Sequence, residues 1–250
     1  AMEYCRDEGL RKYWDEYSYP YHKNGEGNNS FRSAATNKIQ KKVDARAYNH
    51  NQDSFTIENI IRWFDYWRER PGTGDRVSSG GVKIIFSDTN THFRGVENYR
   101  RSGVTDAMRI PKDPFFAHQV MWDGWVDIEN PRIHIIGHWN YKEGIVKPVY
   151  VVSSAEKVEL FLNGTSLGYG NRDHHFLYTF ENVAFAAGKL EAVGYDENGT
   201  ECCRTHLQTA GEPEQIKLSL IQSPNGWKAD GADMVLLQVE VMDKDGRRCP

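Results

Sequence analysis

The sequence has little of what marks several classes of protein. Its four cysteines are too few and too unevenly spaced for a disulfide framework or a zinc knuckle. The 31 Lys and Arg nearly balance the 35 Asp and Glu, so the net charge of −4 gives no electrostatic reason to expect a nucleic acid or a membrane surface as partner. No apolar run approaches the roughly 18 residues of a membrane-spanning helix. The 22 glycines and 9 prolines are too few for a low-complexity chain, so most of it should fold.

Aromatic residues, in contrast, are abundant. Phe, Trp and Tyr make up 12% of the 250 residues, with 7 Trp and 13 Tyr. Aromatic side chains with polar tips fill protein cores, and they also line the clefts that bind carbohydrates. A chain of this length forms one large domain or two to three small ones. Composition therefore predicts a folded protein without selecting its function.

Residues 1–128 combine helical and extended patterns. Residues 53–70 place apolar side chains on one side at near-helical spacing, with acids early and arginines late, which predicts an amphipathic helix that ends at a Pro-Gly pair. A short buried strand is predicted over 82–86, and a second helix begins at the Ile-Pro pair 110–111. Residues 18–50 are polar and aperiodic, which predicts a long loop. Helix and strand alternating in this way indicate an α/β layer.

From about residue 131 the pattern changes to short strands separated by Gly, Asn and Asp turns. The strands are predicted over 132–136, 148–152, 157–162, 175–180, 189–195 and 201–207. They indicate an immunoglobulin-like sandwich over 129–210. Two further strands, 216–221 and 234–241, predict that 211–250 is the truncated start of another β-sandwich, because about 40 residues cannot close a second sandwich of about 100.

Several stretches resemble glycoside hydrolase family 2, the β-galactosidase and β-glucuronidase group. The segment Met2-Glu3-Tyr4 is similar to the end of the seventh barrel strand, and residues 108–113 (MRIPKD) resemble the turn into the last barrel helix. Residues 135–141 (IIGHWNY) and 158–168 (VELFLNGTSLG) are similar to the immunoglobulin-like domain after the barrel. The resemblance implies an α/β part followed by all-β parts: the last part of a (β/α)8 TIM barrel over 1–128, and then the two sandwiches.

The resemblance also implies that Glu3 is the catalytic nucleophile of a retaining glycosidase. Such enzymes use two carboxyl groups about 5–5.5 Å apart, and a barrel places them at the C-terminal ends of its strands. The acid/base glutamate of the family would precede residue 1, so we expect these 250 residues alone to be inactive. The simpler interpretation of Glu3 is a solvated carboxylate near a chain terminus.

Polar residues after the first predicted strand are candidate substrate contacts. Asp88, Asn90 and His92 follow a buried strand, where active-site loops lie, and their side chains suit hydrogen bonds with sugar hydroxyls. The alternative is Asx-turn chemistry at the strand exit. Trp122, together with Trp125, could stack on the apolar face of a sugar, although such residues more often hold a barrel helix against the next domain.

No cofactor and no metal site is predicted. His134 and His138 are four residues apart, but they lie in a predicted strand and turn rather than on a helix face, and no carboxylate lies at ligand spacing. The sequence shows neither a Gly-rich phosphate loop nor a Ser-His-Asp arrangement.

Two classes of function remain open. The first is a retaining exo-glycosidase that hydrolyses terminal β-galactosides, with an oligosaccharide or polysaccharide-derived β-glycoside and the remainder of its own barrel as partners. A β-glucuronidase or β-mannosidase is the alternative activity within the family. Arg94, Arg100 and Arg101 would supply the basic cluster that a glucuronidase needs. The second class is a carbohydrate-binding or spacer sandwich without catalysis. The resemblance also implies a bacterial protein that is periplasmic or secreted.

Overall fold

The chain divides into two compact units, residues 1–207 and 208–250. Helices and short parallel strands precede the β-rich part of the first unit, and the second unit holds an antiparallel strand pair. The computed structural model describes residues 2–4, 8–9, 15–19, 21–24, 49–65, 81–83, 85–89 and 101–250. In these ranges no helix is both long enough and apolar enough to cross a membrane.

The N-terminal part of the first unit contains parallel strand pairs and two helices. Their bounds are β1 (Met2–Tyr4), β2 (Glu8–Gly9), β3 (Asn49–His50), α1 (Gln52–Phe64), β4 (Gly81–Lys83) and α2 (Asp113–Val126). Strand β1 pairs with β4, and β2 pairs with β3, in both cases in parallel. Beyond β4, Ser87 forms a parallel bridge with Thr105. Parallel pairing beside helices is the arrangement of an α/β layer.

Helix α1 begins next to its predicted start because Asn51 caps it. The Asn51 side chain accepts a hydrogen bond from the Ser54 amide, and Asp53 lies in the first turn, where negative charge is favourable. The apolar residues that it buries are Phe55, Ile60 and Trp63. The last residues of the predicted helix, 66–70, lie outside the described residues.

Helix α2 begins at Asp113, slightly later than the predicted start at 110–111. The preceding residues form a turn in which the Asp106 carboxylate accepts the Ile110 amide, and Arg109 adopts a positive φ of 64°. Pro114 then lies in the first helical turn, where its missing amide proton is tolerated.

The β-rich part of the first unit consists of two four-stranded sheets packed face to face. Their strands are β5 (Ile133–Ile135), β6 (Val146–Ser153), β7 (Lys157–Leu162), β8 (Thr165–Tyr169), β9 (Asn171–Asp173), β10 (Leu177–Ala184), β11 (Lys189–Tyr195) and β12 (Glu201–Gln208). The sheet orders are β5-β6-β10-β9 and β12-β11-β7-β8. Val151 and Tyr178 from one sheet and Leu160 and Leu190 from the other share one core. This is the sandwich architecture that the strand pattern predicts.

A second apolar cluster joins the two helices to the sandwich. It contains Ile60 and Trp63 from α1, Met121 from α2, and Val152 and Phe176 from the sandwich. All five side chains are buried. Burial of this kind is the main favourable term in packing one element on another, so the helices are held against the outer face of the β5-β6-β10-β9 sheet.

The second unit is built on β13 (Gln215–Ile221) and β14 (Leu236–Met242), which pair antiparallel. The buried Asp243 carboxylate fixes the chain next to β14, because it accepts the amides of Gly211 and Arg247. Alternate residues of both strands form an apolar face that is exposed in this unit.

Candidate functional site

Strand β1 places Glu3 at an edge where parallel strands end. In the pairing of β1 with β4, Glu3 lies opposite Val82, and Tyr4 lies opposite Lys83. Because the strands are parallel, the residues that follow β1 and those that follow β4 leave the sheet at the same edge. In α/β sheets and barrels, ligands bind at the carboxyl ends of the strands. This edge is therefore the candidate site.

Asp88, a predicted substrate contact, follows β4 and is bonded within the protein. Its Oδ1 accepts Lys112 Nζ at 2.9 Å and the Gly103 amide at 2.9 Å. Both side chains of the ion pair are buried. A Cβ atom at Gly103 would lie 2.3 Å from the Asp88 amide nitrogen, so this close approach requires glycine. These contacts support the alternative role of stabilising the strand exit, while contact of Asp88 with a sugar stays a prediction.

Lys112 brings a buried positive charge to this strand exit. Burial lowers the pKa of its ammonium group, and Asp88 opposes that shift by favouring the charged form. Nζ also donates to the Arg101 carbonyl at 3.3 Å and lies 5.6 Å from the centroid of the Phe55 ring. Lys83 Nζ lies 5.6 Å from the same ring. Two lysine ammonium groups therefore lie near the Phe55 ring at the end of β4.

Asn90 and His92, the other predicted polar contacts at this edge, lie outside the described residues. The same is true of Arg94 and Arg100, two of the three arginines of the predicted basic cluster. Arg101 is described, and its carbonyl is the group that Lys112 contacts. The roles of all these side chains in binding a sugar stay predictions.

The two tryptophans of helix α2 differ in their surroundings. Trp125 lies 4.6 Å from the Trp63 ring and 6.4 Å from the Phe176 ring, between α1 and the sandwich. It therefore has the role that such residues more commonly play, holding a helix against the next part of the fold. Trp122 is 53% exposed, and its stacking on a sugar stays a prediction.

The structure also shows a buried polar layer between the helices and the sandwich, which the sequence did not predict. Asp113, completely buried, accepts His134 Nε2 at 2.9 Å through Oδ1, and it accepts Gln52 Nε2 at 2.7 Å and the Gly137 amide at 3.0 Å through Oδ2. His134 is thus oriented by a carboxylate. Within the ranges that the structure describes, no three potential metal ligands come together.

A second part of this layer anchors the segment that follows β2. Asp15 Oδ1 accepts the amides of Tyr17 and Ser18 and the Ser18 hydroxyl, and Oδ2 accepts the Tyr141 hydroxyl at 2.6 Å. His138 Nδ1 accepts the Asn140 amide, so the neutral ring carries its proton on Nε2, which lies 3.0 Å from Ser18 Oγ. This network joins the segment to the loop after β5.

Burial and hydrogen bonding act in opposite directions on Asp15. Burial by itself raises the pKa of its carboxyl group, but hydrogen bonds from His138 and Tyr141 and the charge of Lys147 outweigh burial and hold the pKa well below its usual range. The Tyr141 hydroxyl shows the converse, since burial and the nearby Asp53 and Asp15 raise its pKa well above the ordinary value. The carboxylate is therefore the charged member and the phenol the neutral donor.

A buried ion pair completes the layer. Lys147 Nζ lies 3.1 Å from Asp53 Oδ2, and it also lies 5.1 Å from the Tyr141 ring centroid and 5.6 Å from the Tyr17 ring centroid. Burial raises the pKa of Asp53, while Lys147 opposes that rise. One signal in the sequence could have revealed that Lys147 is buried: it stands in the same alternation as the buried Val149 and therefore points into the protein.

The buried aspartates of the described part of the chain are all hydrogen-bonded within the protein. They are Asp15, Asp53, Asp88, Asp106, Asp113 and Asp243. Among them, Asp88 is the predicted sugar contact, and its Oδ1 already accepts Lys112 Nζ and the Gly103 amide. Among the carboxylates of the predicted site, Glu3 therefore remains the candidate for the chemical step.

Comparison with known proteins extends these observations. A family model described as a domain of unknown function, DUF4982, matches residues 144–203, which lie in the sandwich. A β-glucuronidase of Formosa agariphila is 36% identical over 250 residues, which are 99% of this chain and 23% of that protein. The β-galactosidase BoGH2A of Bacteroides ovatus is 31% identical over 149 residues, which are 59% of this chain and 17% of that protein.

A solved structure is similar in fold to this chain. It is that of a β-glucuronidase from glycoside hydrolase family 2, with a TM-score of 0.73 and 33% sequence identity. The match covers 100% of this chain and 24% of the other. The chain thus spans about a quarter of the length of the relatives that it matches along its whole sequence.

Proposed function

Because this chain belongs to glycoside hydrolase family 2, we propose that it is part of a retaining β-glycosidase in which Glu3 is the nucleophile. The observation that carries the proposal is the parallel pairing of β1 with β4, which puts Glu3 at the edge where such sheets bind their ligands. Residues 1–128 are then the last part of a TIM barrel whose other strands come from elsewhere in the protein.

The proposed reaction is a double displacement. The Glu3 carboxylate attacks the anomeric carbon while a second carboxylic acid, outside these residues, protonates the leaving oxygen. The covalent glycosyl-enzyme is then hydrolysed by a water molecule that the second group, now a carboxylate, activates as a base. Asp88 and Asp113 do not take part in these steps, because their carboxylates bind groups of the protein at a strand exit and at the start of α2.

Two sugars fit this proposal. The sequence favoured a terminal β-galactoside, and BoGH2A, a β-galactosidase, matches 149 residues. Two relatives that match 99–100% of the chain, the Formosa agariphila protein and the solved structure described above, are β-glucuronidases, so a β-glucuronide fits equally well. A glucuronide adds a carboxylate that needs a cationic partner. Lys83 is the last residue of β4, and the predicted basic cluster of Arg94, Arg100 and Arg101 follows it in the sequence.

The experiment is an assay of the full-length protein on p-nitrophenyl β-galactoside and p-nitrophenyl β-glucuronide. Replacing Glu3 by Gln should lower kcat by roughly 10³-fold or more on the preferred sugar, because the nucleophile is lost while the shape of the side chain is kept. In Glu3→Ala, added azide should restore turnover, since the small anion can occupy the space of the missing carboxylate. The matched control is Glu197→Gln, an exposed glutamate in the turn between β11 and β12.

Each outcome decides something different. Unchanged turnover in Glu3→Gln would overturn the assignment of Glu3 even if the protein is a glycosidase. The preferred substrate of the parental protein would choose between galactoside and glucuronide. No turnover on any β-glycoside would favour the second class of function, a carbohydrate-binding or spacer sandwich.

A further inference from the structure

A short turn that follows β2 exposes two aromatic rings. We call the described residues 15–19 and 21–24 the aromatic turn. Tyr19 is 83% exposed and Tyr21 is 42% exposed, and their rings meet edge to face with centroids 6.3 Å apart at an angle of 85°. Large aromatic side chains that remain paired at the surface form an apolar patch, and such patches mark sites of interaction.

The base of the aromatic turn is held in place by the sandwich. The buried Asp15 carboxylate accepts two amides and one hydroxyl of the turn, and the Tyr141 hydroxyl donates to it from the loop after β5. At its other end, Asn24 Oδ1 accepts the Asn51 amide at 2.9 Å, which fixes the turn to the start of α1. The rings are therefore displayed from a rigid base, which lowers the entropic cost of binding a ligand.

Tyr21 is kept in a conformation that a bulky residue rarely adopts. Its φ is 60°, in the left-handed region, and its amide donates to the Ser18 carbonyl at 2.5 Å. A backbone strained in this way persists only where the surrounding contacts fix it, and such positions concentrate at functional sites. Here the anchored turn fixes Tyr21 beside Tyr19.

Polar groups surround the ring pair. Lys142 Nζ lies 5.9 Å from the centroid of the Tyr21 ring, and Glu16 and Lys23 are exposed on the same turn. An apolar ring face beside donors and acceptors suits a sugar, whose C–H groups stack on the ring while its hydroxyls form hydrogen bonds.

We propose that the exposed Tyr19 ring, held edge to face against Tyr21, forms a stacking platform for a saccharide unit on the leaving-group side of the substrate. The proposal rests on the proposed function, because it takes the aromatic turn to belong to the loop that follows the strand of Glu3, where barrels place their binding residues. The platform selects substrates in which the cleaved sugar is attached to another sugar. A glycosyl fluoride, whose leaving group is a single atom, does not need it.

The test compares two substrates of the same terminal sugar in the full-length protein: lactose with β-galactosyl fluoride, and a disaccharide ending in β-glucuronic acid with β-glucuronyl fluoride. Tyr19→Ala should raise KM for the disaccharide roughly 3- to 10-fold and leave kcat and the KM of the glycosyl fluoride unchanged. Tyr19→Phe should retain the low KM because it keeps the ring. The matched control is Tyr169→Ala, an exposed tyrosine on β8 of the sandwich.

Binding of the disaccharides to the Glu3→Gln protein, measured by calorimetry with and without Tyr19→Ala, separates the platform from catalysis. A weaker affinity in Tyr19→Ala supports the platform even if Glu3 is not the nucleophile. The proposal is overturned if neither disaccharide binds, or if Tyr19→Ala changes KM and affinity no more than Tyr169→Ala does. It is also overturned if Tyr19→Ala lowers the melting temperature and leaves KM and affinity unchanged, because the ring would then be packed against another part of the protein.

Discussion

Lys112 is completely buried, and Asp88 is the carboxylate that accompanies it. Removing both charges from water is costly, and the 2.9 Å contact between them offsets part of that cost. Because Oδ1 of the same carboxylate also accepts the Gly103 amide, the pair connects α2, the residues after β4 and the segment before Thr105. Asp88, which the sequence predicts as a sugar contact, therefore has a structural role.

The two roles of Asp88 predict different results for its variants. Lys112→Met should destabilise the protein by about 3–5 kcal/mol, because it leaves the Asp88 carboxylate buried without a partner. The double variant Asp88→Asn/Lys112→Met should recover much of this loss, since no unpaired charge remains. Denaturant unfolding of the four proteins in the cycle measures the coupling.

A sugar contact would give another pattern. Asp88→Asn would then raise KM on the preferred glycoside severalfold in a protein whose stability is nearly unchanged. Additive losses in the double variant would contradict a structural pair. The control is Lys244→Met in the second unit. Lys244 is exposed, so this variant also removes a lysine charge but leaves no buried carboxylate without its partner.

At the residue scale, the sequence revealed what lies in local motifs. Glu3 could be proposed because residues 2–4 resemble the end of a barrel strand in glycoside hydrolase family 2, and Asp88 because it follows a predicted strand. The contact of Asp15 with Tyr141 joins residues 126 positions apart, and no local pattern encodes it. Lys147 is intermediate: its place in an alternating strand shows that it is buried, but it does not show that Asp53 is its partner.

At the scale of elements, helix α2 lies close to the sandwich at Gly124. A Cβ atom there would lie 2.8 Å from Phe176 Cε1 and 2.8 Å from Ser154 Cβ. Glycine inside a helix normally costs up to about 1 kcal/mol relative to alanine. The close contact explains why the helix contains it.

Gly124→Ala should therefore destabilise the first unit by roughly 1–3 kcal/mol, in spite of the better helix propensity of alanine, because the added methyl group forces the helix away from Phe176. Differential scanning calorimetry of the full-length protein would show a lower melting temperature for the transition of this unit. Gln119→Ala, an exposed position on the same helix, should stay within about 0.5 kcal/mol of the parental protein. A gain in stability in Gly124→Ala would contradict the close approach.

The strands show where an element can be predicted and where it cannot. Apolar alternation located β7 and β11 at their observed bounds. Strand β8, whose residues are mostly exposed, and β9, with only three residues, lack that signal and were not predicted. Strand β10 begins after His174 and His175, which adopt positive φ values of 44° and 61° and form a turn where the sequence predicted the first residues of the strand.

At the scale of the whole molecule, the second unit displays one apolar face. Ile216, Leu218 and Leu220 of β13 alternate on this face, and the register of the strand pair puts them opposite Val241, Val239 and Leu237 of β14. Leu218 is 60% exposed and Val239 is 58% exposed in this unit. A two-stranded sheet with an apolar face is marginal by itself and needs cover.

We propose that residues 211–250 begin a further β-sandwich whose remaining strands cover this face. In the full-length protein, Leu218→Gln should then destabilise that domain by about 2–3 kcal/mol, because a buried leucine is replaced by an amide. Lys217→Gln is the matched control, since Lys217 lies on the opposite face, across from Glu240. Hydrogen–deuterium exchange of residues 215–221 measures the difference. Faster exchange in Leu218→Gln but not in Lys217→Gln indicates that other strands cover the face. Equal exchange in both variants would mean that the face is exposed to solvent.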